Sequence, residues 1–265
     1  MSTVARQALQ FDPLPADQPR IGLVEGWRLR EFAEVDSTNL VAARLSAWDA
    51  VRADAQTAGR GRFQREWISD AGGLWLSAVV PVHSKTAGAG VLPLVVGLAV
   101  CDALSAAGVT ELRMRWPNDV LVGNRKLAGL LIERFNPDMA VAGIGVNVSN
   151  EPEARDERLK HQTARLADLV FPPPSLLDLT ALILRQLRLV VDELNAGNVS
   201  VLLPRINQLW GWPRPVELDL DGEFRAGTFN GVDDGGRLIL SGPAGGTHFF
   251  EPWQVRHLRE TKDQA

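Results

Sequence analysis

Arg60 and Arg62 alternate with Gly59 and Gly61 in the stretch 56–67, QTAGRGRFQREW. Glycines at such spacing let backbone N–H groups come close to an anion. The guanidinium groups bring permanent positive charge to the same place. Gln56 opens the stretch with an amide, and Trp67 closes it with a flat apolar surface. A loop of this kind suits an anionic ligand that carries an aromatic part, and a nucleotide is the obvious example. Two plainer readings stand beside it: a solvated surface loop, and a loop that contacts nucleic acid.

Two further stretches carry chemistry. In 115–133, RWPNDVLVGNRKLAGLLIE, Lys126 falls inside an apolar strand-like run. Strict alternation puts Lys126, Ala128 and Leu130 on one face and Leu127, Gly129 and Leu131 on the other. An ammonium group in that setting is costly to bury unless an anion meets it; the plain alternative is an edge-strand lysine that blunts unwanted pairing. Gly129 leaves space for another backbone or a ligand. In 143–149, GIGVNVS, Gly143 and Gly145 leave room while Asn147 offers an amide. Tight strand packing explains the same glycines without a ligand.

Taken in order, these stretches resemble the biotin protein ligase family, the biotin–carboxyl carrier protein ligases. Ser37-Thr38-Asn39 is similar to that family's S-T-N, and Gln56 with Gly59 to Arg62 to its Q-x-A-G-R-G-R loop. Trp116-Pro117-Asn118-Asp119 resembles its K-W-P-N-D, with Arg115 in place of the lysine. Lys126 to Gly129 resembles its K-x-x-G, and Gly143 to Val148 its G-x-G-x-N-V. The likeness runs over about residues 27–260.

The resemblance implies an α/β (α+β) fold: a mixed sheet with flanking helices, like the class II aminoacyl-tRNA synthetase and biotin ligase core, plus a small C-terminal SH3-like β-barrel. It implies that biotin and ATP form biotinyl-5′-AMP, and that biotin then passes to one lysine of a biotin carboxyl carrier protein. Magnesium is expected with ATP, though the sequence names no protein ligand for a metal. Lys126 would bridge the biotin carboxylate and the phosphate. Arg60 and Arg62 would hold the loop over the activated acid and keep water out. Ser37, Thr38, Asn39, Gln56 and Gly61 would meet biotin, with Trp67, Asn118 and Asn147 near the adenylate.

The family loop usually has glycine where this chain has Gln64, and a Cβ there restricts positive φ. Some family members carry an N-terminal helix-turn-helix. About 26 residues precede the first strand read here, so no DNA binding is expected. The resemblance leaves room for a homodimer. Rival readings are a lipoate or octanoate ligase or transferase of the same superfamily, whose R-R-x-S-G-G-G pattern is not found here, and a non-catalytic biotin- or nucleotide-binding module.

Composition narrows the field. The chain of 265 residues has 28 Lys and Arg against 32 Asp and Glu, a net charge of −4, which gives no electrostatic footprint for duplex nucleic acid. One cysteine, Cys101, excludes an internal disulfide framework and fits a reducing compartment, so a cytoplasmic location is expected. The longest uncharged run, 86–101, has 16 residues, short of the roughly 20 needed to span a bilayer. No membrane partner is expected.

The elements that must position these residues can be read from periodicity. Residues 1–25 look like a loosely attached arm. Strands are expected at 27–35, 51–56, 74–80, 111–116, 120–122, 126–135 and 139–148, the fifth and sixth joined by a Gly123-Asn124 turn. Helices are expected from Asp36 or Ser37 to about 48, and over 91–107, 175–195 and 201–210, with Ser175 and Asp178 as a capping-box start. After Pro213 short alternating runs and Asp-Gly turns replace helices. A catalytic domain over 26–212 and a small domain over 213–265 follow.

Overall fold

The computed structural model describes residues 18–82, 90–211, 213–243 and 245–261. The first part of the chain builds β1 (Arg20–Val24), β2 (Trp27–Val35), α1 (Thr38–Ala42), β3 (Asp49–Gln56), β4 (Leu74–Pro81) and α2 (Val91–Ala106). Then come β5 (Leu112–Arg115), β6 (Asp119–Val122), β7 (Arg125–Asn136) and β8 (Met139–Val146). These strands form one eight-stranded sheet in the order β1-β2-β3-β4-β8-β7-β6-β5. β2 and β3 pair in parallel, with α1 in their crossover; the other pairings are antiparallel.

α3 (Pro152–Arg155) is one turn, whereas α4 (Leu176–Asn195) and α5 (Val199–Gln208) are true helices. α2 is apolar nearly all round and is buried along most of its length, as a core helix must be. α4 buries one face, Leu179, Thr180, Ile183, Leu184, Leu187, Val190, Val191 and Leu194. Its start is capped as expected, Ser175 Oγ accepting the Asp178 N–H at 3.1 Å.

β9 (Arg214–Leu220), β10 (Glu223–Val232), β11 (Leu238–Ser241), β12 (Thr247–Phe250) and β13 (His257–Glu260) make a second, five-stranded antiparallel sheet, ordered β12-β11-β10-β9-β13. β12 and β13 stand at its two ends, and no pairing joins them among the described residues. The hydrogen-bonded unit is therefore a small sheet.

Two expectations change. The part of the N-terminal arm that is described forms β1, tied to β2 through five registered pairs and a turn at Glu25-Gly26; residues 1–17 lie outside the described residues. The run RIGLV is short and mostly exposed, so it gave no clear alternation. The helix expected to about 48 ends at Ala42 instead. Arg44 and Leu45 close i→i−3 bonds there, which tightens the chain so that it can enter β3 beside β2. Among the described residues no helix is long and apolar enough to cross a membrane.

Candidate active site

β7 carries a bulge. Val120 pairs with Ala128 but the next residue, Leu121, pairs with Lys126, so Leu127 is one residue too many. Leu127 and Ala128 are both fully buried in the core. The bulge corrects the strict alternation expected from the sequence. It lets two consecutive apolar residues sink inward and swings Lys126 onto the face of Gly129. A Cβ added at Gly129 would stand 3.1 Å from Lys126 Cε and 2.7 Å from the Trp67 ring.

Lys126 is held from two sides. Its Nζ lies 2.6 Å from Asp119 Oδ1 and 4.7 Å from the centre of the Trp67 ring, a cation–π distance. Arg115, where the family has lysine, donates to the other oxygen, Asp119 Oδ2, at 2.6 Å. Burial alone would raise the Asp119 carboxyl, but Lys126 and Arg115 outweigh it and hold it below the usual carboxylate range. The backbone of Lys126 is fixed as well, its N–H donating to Gln162 and its carbonyl accepting from Ala164.

The glycines of β8 clear the space beside it. A Cβ at Gly145 would lie 2.6 Å from Trp67 Nε1, and one at Gly143 would overlap Asn39 Oδ1. Trp67 and Asn39 can lie against the sheet only because those side chains are absent.

A polar floor adjoins these groups. Ser37, Thr38, Asn39 and Ser77 are all buried. Ser37 sits at the N-cap of α1 but makes no capping bond with its side chain. Gln56 Oε1 accepts from the Thr38 backbone at 2.8 Å, and its Nε2 donates to Ser69 Oγ at 2.8 Å. Ser77 Oγ donates to Asn39 Oδ1 at 2.6 Å and lies 2.7 Å from Thr38 Oγ1.

The arginine loop forms a flap over the floor. Its neck is closed by Trp67 N–H to Gly59 O at 2.9 Å and Gly61 N–H to Arg65 O at 2.7 Å. The two arginines diverge. Arg60 Nη2 donates to Glu133 at 3.1 Å, beside the floor. Arg62 reaches the small sheet, donating to Pro252 O and, at 3.1 Å, to Val255 O. Burial pulls the Arg62 guanidinium down to about 10, with Asp119 opposing and Arg65 adding, so it stays charged at neutral pH. Phe63 and Gln64 at the tip have φ of 55° and 59°. The position where the family has glycine is thus left-handed in this chain.

Flap, floor and Lys126 line one cavity of about 950 Å³, which also takes in Asn118 and Asn147. Both asparagine amides are engaged. Asn118 Nδ2 donates to Leu130 O at 2.8 Å. Asn147 Nδ2 donates to Lys126 O at 3.3 Å, while its Oδ1 accepts from Asn150 at 3.1 Å. All eleven residues singled out in the sequence, from Ser37 to Asn147, line this cavity.

Sequence reasoning missed four polar groups here. Asp119 follows Asn118 directly, but its pairing with Lys126 is set across strands and leaves no local signal. Glu133 lies two residues beyond Leu131 on the cavity face of β7, a position that register would have revealed. Ser77 and His257 carry no local signal. His257 lines the cavity from β13, and burial, helped by Arg65, Arg115 and Arg259, lowers its pKa, so it is neutral at pH 7.

A cationic side chain on a sheet, a flap of arginines and a buried polar floor suit a ligand that joins a polar body to an anionic group. In keeping with this, the model of the biotin/lipoate A/B protein ligase family matches residues 33–148. The chain is 33% identical over 235 residues to a biotin–[acetyl-CoA-carboxylase] ligase of Paracoccus denitrificans, covering 81% of this chain and 94% of the relative. It is 35% identical to the enzyme of that name from Mycobacterium tuberculosis over 257 residues, 90% of this chain and 92% of the relative. The biotin protein ligase from Aquifex aeolicus, solved with biotin and ATP, superposes with a TM-score of 0.77 at 26% identity, covering 88% of this chain and 99% of that one. The chain belongs to the biotin protein ligase family.

Proposed function

We propose that this cavity carries out ATP-dependent biotinylation in two steps. In the first, the biotin carboxylate attacks the α-phosphorus of ATP; biotinyl-5′-AMP forms and pyrophosphate leaves. In the second, the ε-amine of one lysine on a biotin carboxyl carrier protein attacks the acyl carbon, an amide forms and AMP leaves. The observation that carries this reading is the placement of Lys126, fixed by Asp119 and Trp67, in one cavity with both flap arginines.

No covalent enzyme intermediate is needed, because charge builds on phosphate oxygens and on the leaving group. Preset positive charge lining the cavity stabilises that charge at little reorganisation cost. Lys126 bridges the carboxylate and the α-phosphate. Asp119 keeps that ammonium group in place rather than free to follow solvent. Ser37, Thr38, Asn39 and Gln56 supply donors and acceptors for the ureido end of biotin. Arg60, Gly61 and Arg62 close over the acid, and Trp67, Asn118 and Asn147 lie on the adenylate side. Among the described residues no cluster of three or more metal-binding side chains occurs, and Asp119 is already claimed by two cations. Magnesium would arrive with ATP, bound to its phosphates. We read the small sheet as an SH3-like domain over 213–265, following a catalytic domain over 26–212, and place the chain in the cytoplasm.

The test is incubation with ATP, biotin and a carrier domain, read by streptavidin blot and by pyrophosphate release. Label on the acceptor lysine is expected. Lys126→Ala should lower pyrophosphate release at least a hundredfold, the scale of a lost transition-state charge contact. An unlabelled competent acceptor, or lipoate outcompeting biotin, would count against the reading; normal pyrophosphate release by the variant would remove Lys126 from its task.

A further inference from the structure

Glu133 is absent from the cavity wall, yet it joins two parts of the site. After the bulge, Gly129, Leu131 and Glu133 follow one another on the same face of β7. Glu133 Oε2 accepts from Asn39 Nδ2 at 2.7 Å, and both its oxygens face Arg60 Nη2, at 3.1 and 3.3 Å. Asn39 gives its second N–H to Leu131 O at 3.2 Å and accepts from Ser77 through Oδ1. Its amide orientation is therefore fixed at every polar atom.

These contacts continue into a ring of short polar contacts, in which the Ser77 and Thr38 hydroxyls share two protons among three of the links. From Glu133 it runs through Asn39, Ser77, Thr38, Gln56 and Ser69, and Ser69 Oγ donates to Trp67 O at 2.8 Å. Trp67 ends the flap and Arg60 begins it, and Arg60 returns to Glu133. Both ends of the flap are thus tied to one partly buried ring of polar contacts, and Glu133 is the only charged member apart from the arginine. Its carboxylate is the link that couples the biotin-facing floor to the flap. Charge-assisted hydrogen bonds are about twice as strong as neutral ones, so this link stiffens the circuit most.

We propose that Glu133 is a positioning residue: acting through Arg60 and Asn39, it holds the flap down over biotinyl-5′-AMP and slows loss of the adenylate before transfer. This rests on the reading of the site given above. Glu133→Gln keeps the shape and can still accept from Asn39 but loses the charge that faces Arg60.

The experiment isolates enzyme loaded with biotinyl-5′-AMP and follows the lifetime of the bound adenylate, alongside pyrophosphate release at saturating biotin and amide hydrogen exchange. For Glu133→Gln the lifetime should fall roughly tenfold, as expected for loss of one coupled charged contact, while the kcat of pyrophosphate release changes less than about threefold. Exchange should quicken in 57–69 and stay unchanged in β4 and β8. Glu133→Asp should lie between wild type and Glu133→Gln, and adding Arg60→Gln to Glu133→Gln should shorten the lifetime little further. An unchanged lifetime, full additivity with Arg60→Gln, or exchange quickened throughout β4 and β8 would each overturn the proposal. If wild type formed no adenylate, the functional reading itself would fail; a normal wild type with an indifferent Glu133→Gln variant would sink only Glu133.

Discussion

Asp119 is the most heavily engaged carboxylate of the site, with one oxygen on Lys126 and the other on Arg115, both at 2.6 Å. Its side chain is 15% exposed, so solvent screens the pairs little. Removing one member of such a cluster leaves like charges facing each other, and Asp119→Asn should cost on the order of 2 kcal/mol. The pH dependence has a definite sign. The folded-state value lies below the ordinary 3.8, so the unfolded chain binds the proton first as pH falls. The contribution is complete above the ordinary range and is lost as pH drops below 3.8 through the lower folded value. Urea unfolding of wild type and Asp119→Asn from pH 7 down to 2.5, roughly the span over which linkage acts, should show a gap that is flat at first and closes at the acid end. A gap that persists at full size in acid would mean that the ion pairs are not its source.

At the scale of elements, the flap is a piece whose local conformation disagrees with its sequence at two consecutive residues. Phe63 and Gln64 both adopt left-handed backbone, with φ of 55° and 59°, where a Cβ costs about 1 kcal/mol or more. Gln64 is exposed, so nothing is lost by trimming its side chain. Gln64→Gly should raise stability by about 1 kcal/mol at most, the flexibility of glycine in the unfolded chain offsetting part of the gain. Thermal unfolding checks this, and a lower midpoint would show that the residue is not strained. The flap was legible because glycine and arginine spacing is a local property of the chain. So were α4, by its period, α2, by its long apolar run, and the strands of the large sheet other than β1. What sequence could not give were features set by pairing across the sheet. The bulge at Leu127 reversed the face assigned to Lys126, and β1 became a strand only because β2 offers it an edge. Glu133 illustrates the same limit, since its value comes from Arg60 and Asn39, which lie 73 and 94 residues away in the chain.

For the molecule as a whole, the change of texture after Pro213 suggested two units, yet the packing joins them. Val216, Leu218, Phe229 and Leu240 of the small sheet belong to the same buried cluster as Leu94 of α2, Trp116 after β5 and Leu130 of β7. Trp116 Nε1 donates to Gly236 O at 3.1 Å in that seam. At its rim Arg113 on β5 grips Glu260 on β13 with bonds of 2.6 and 2.8 Å. The flap adds a third tie through Arg62 and the carbonyls of Pro252 and Val255. Separating the sheets would expose apolar surface on both at about 25 cal/mol per Å² and orphan the buried Trp116 N–H. Separation would therefore cost both sheets stability. Urea unfolding should therefore be a single transition, although chains of this length often unfold in stages. Tryptophan fluorescence reports chiefly on the large sheet and its helices, while far-UV circular dichroism reports on both sheets, so the two curves should coincide at one midpoint. Curves that separate would show that the small sheet melts on its own, and the flap's anchor at Pro252 and Val255 would then be lost before the site itself unfolds.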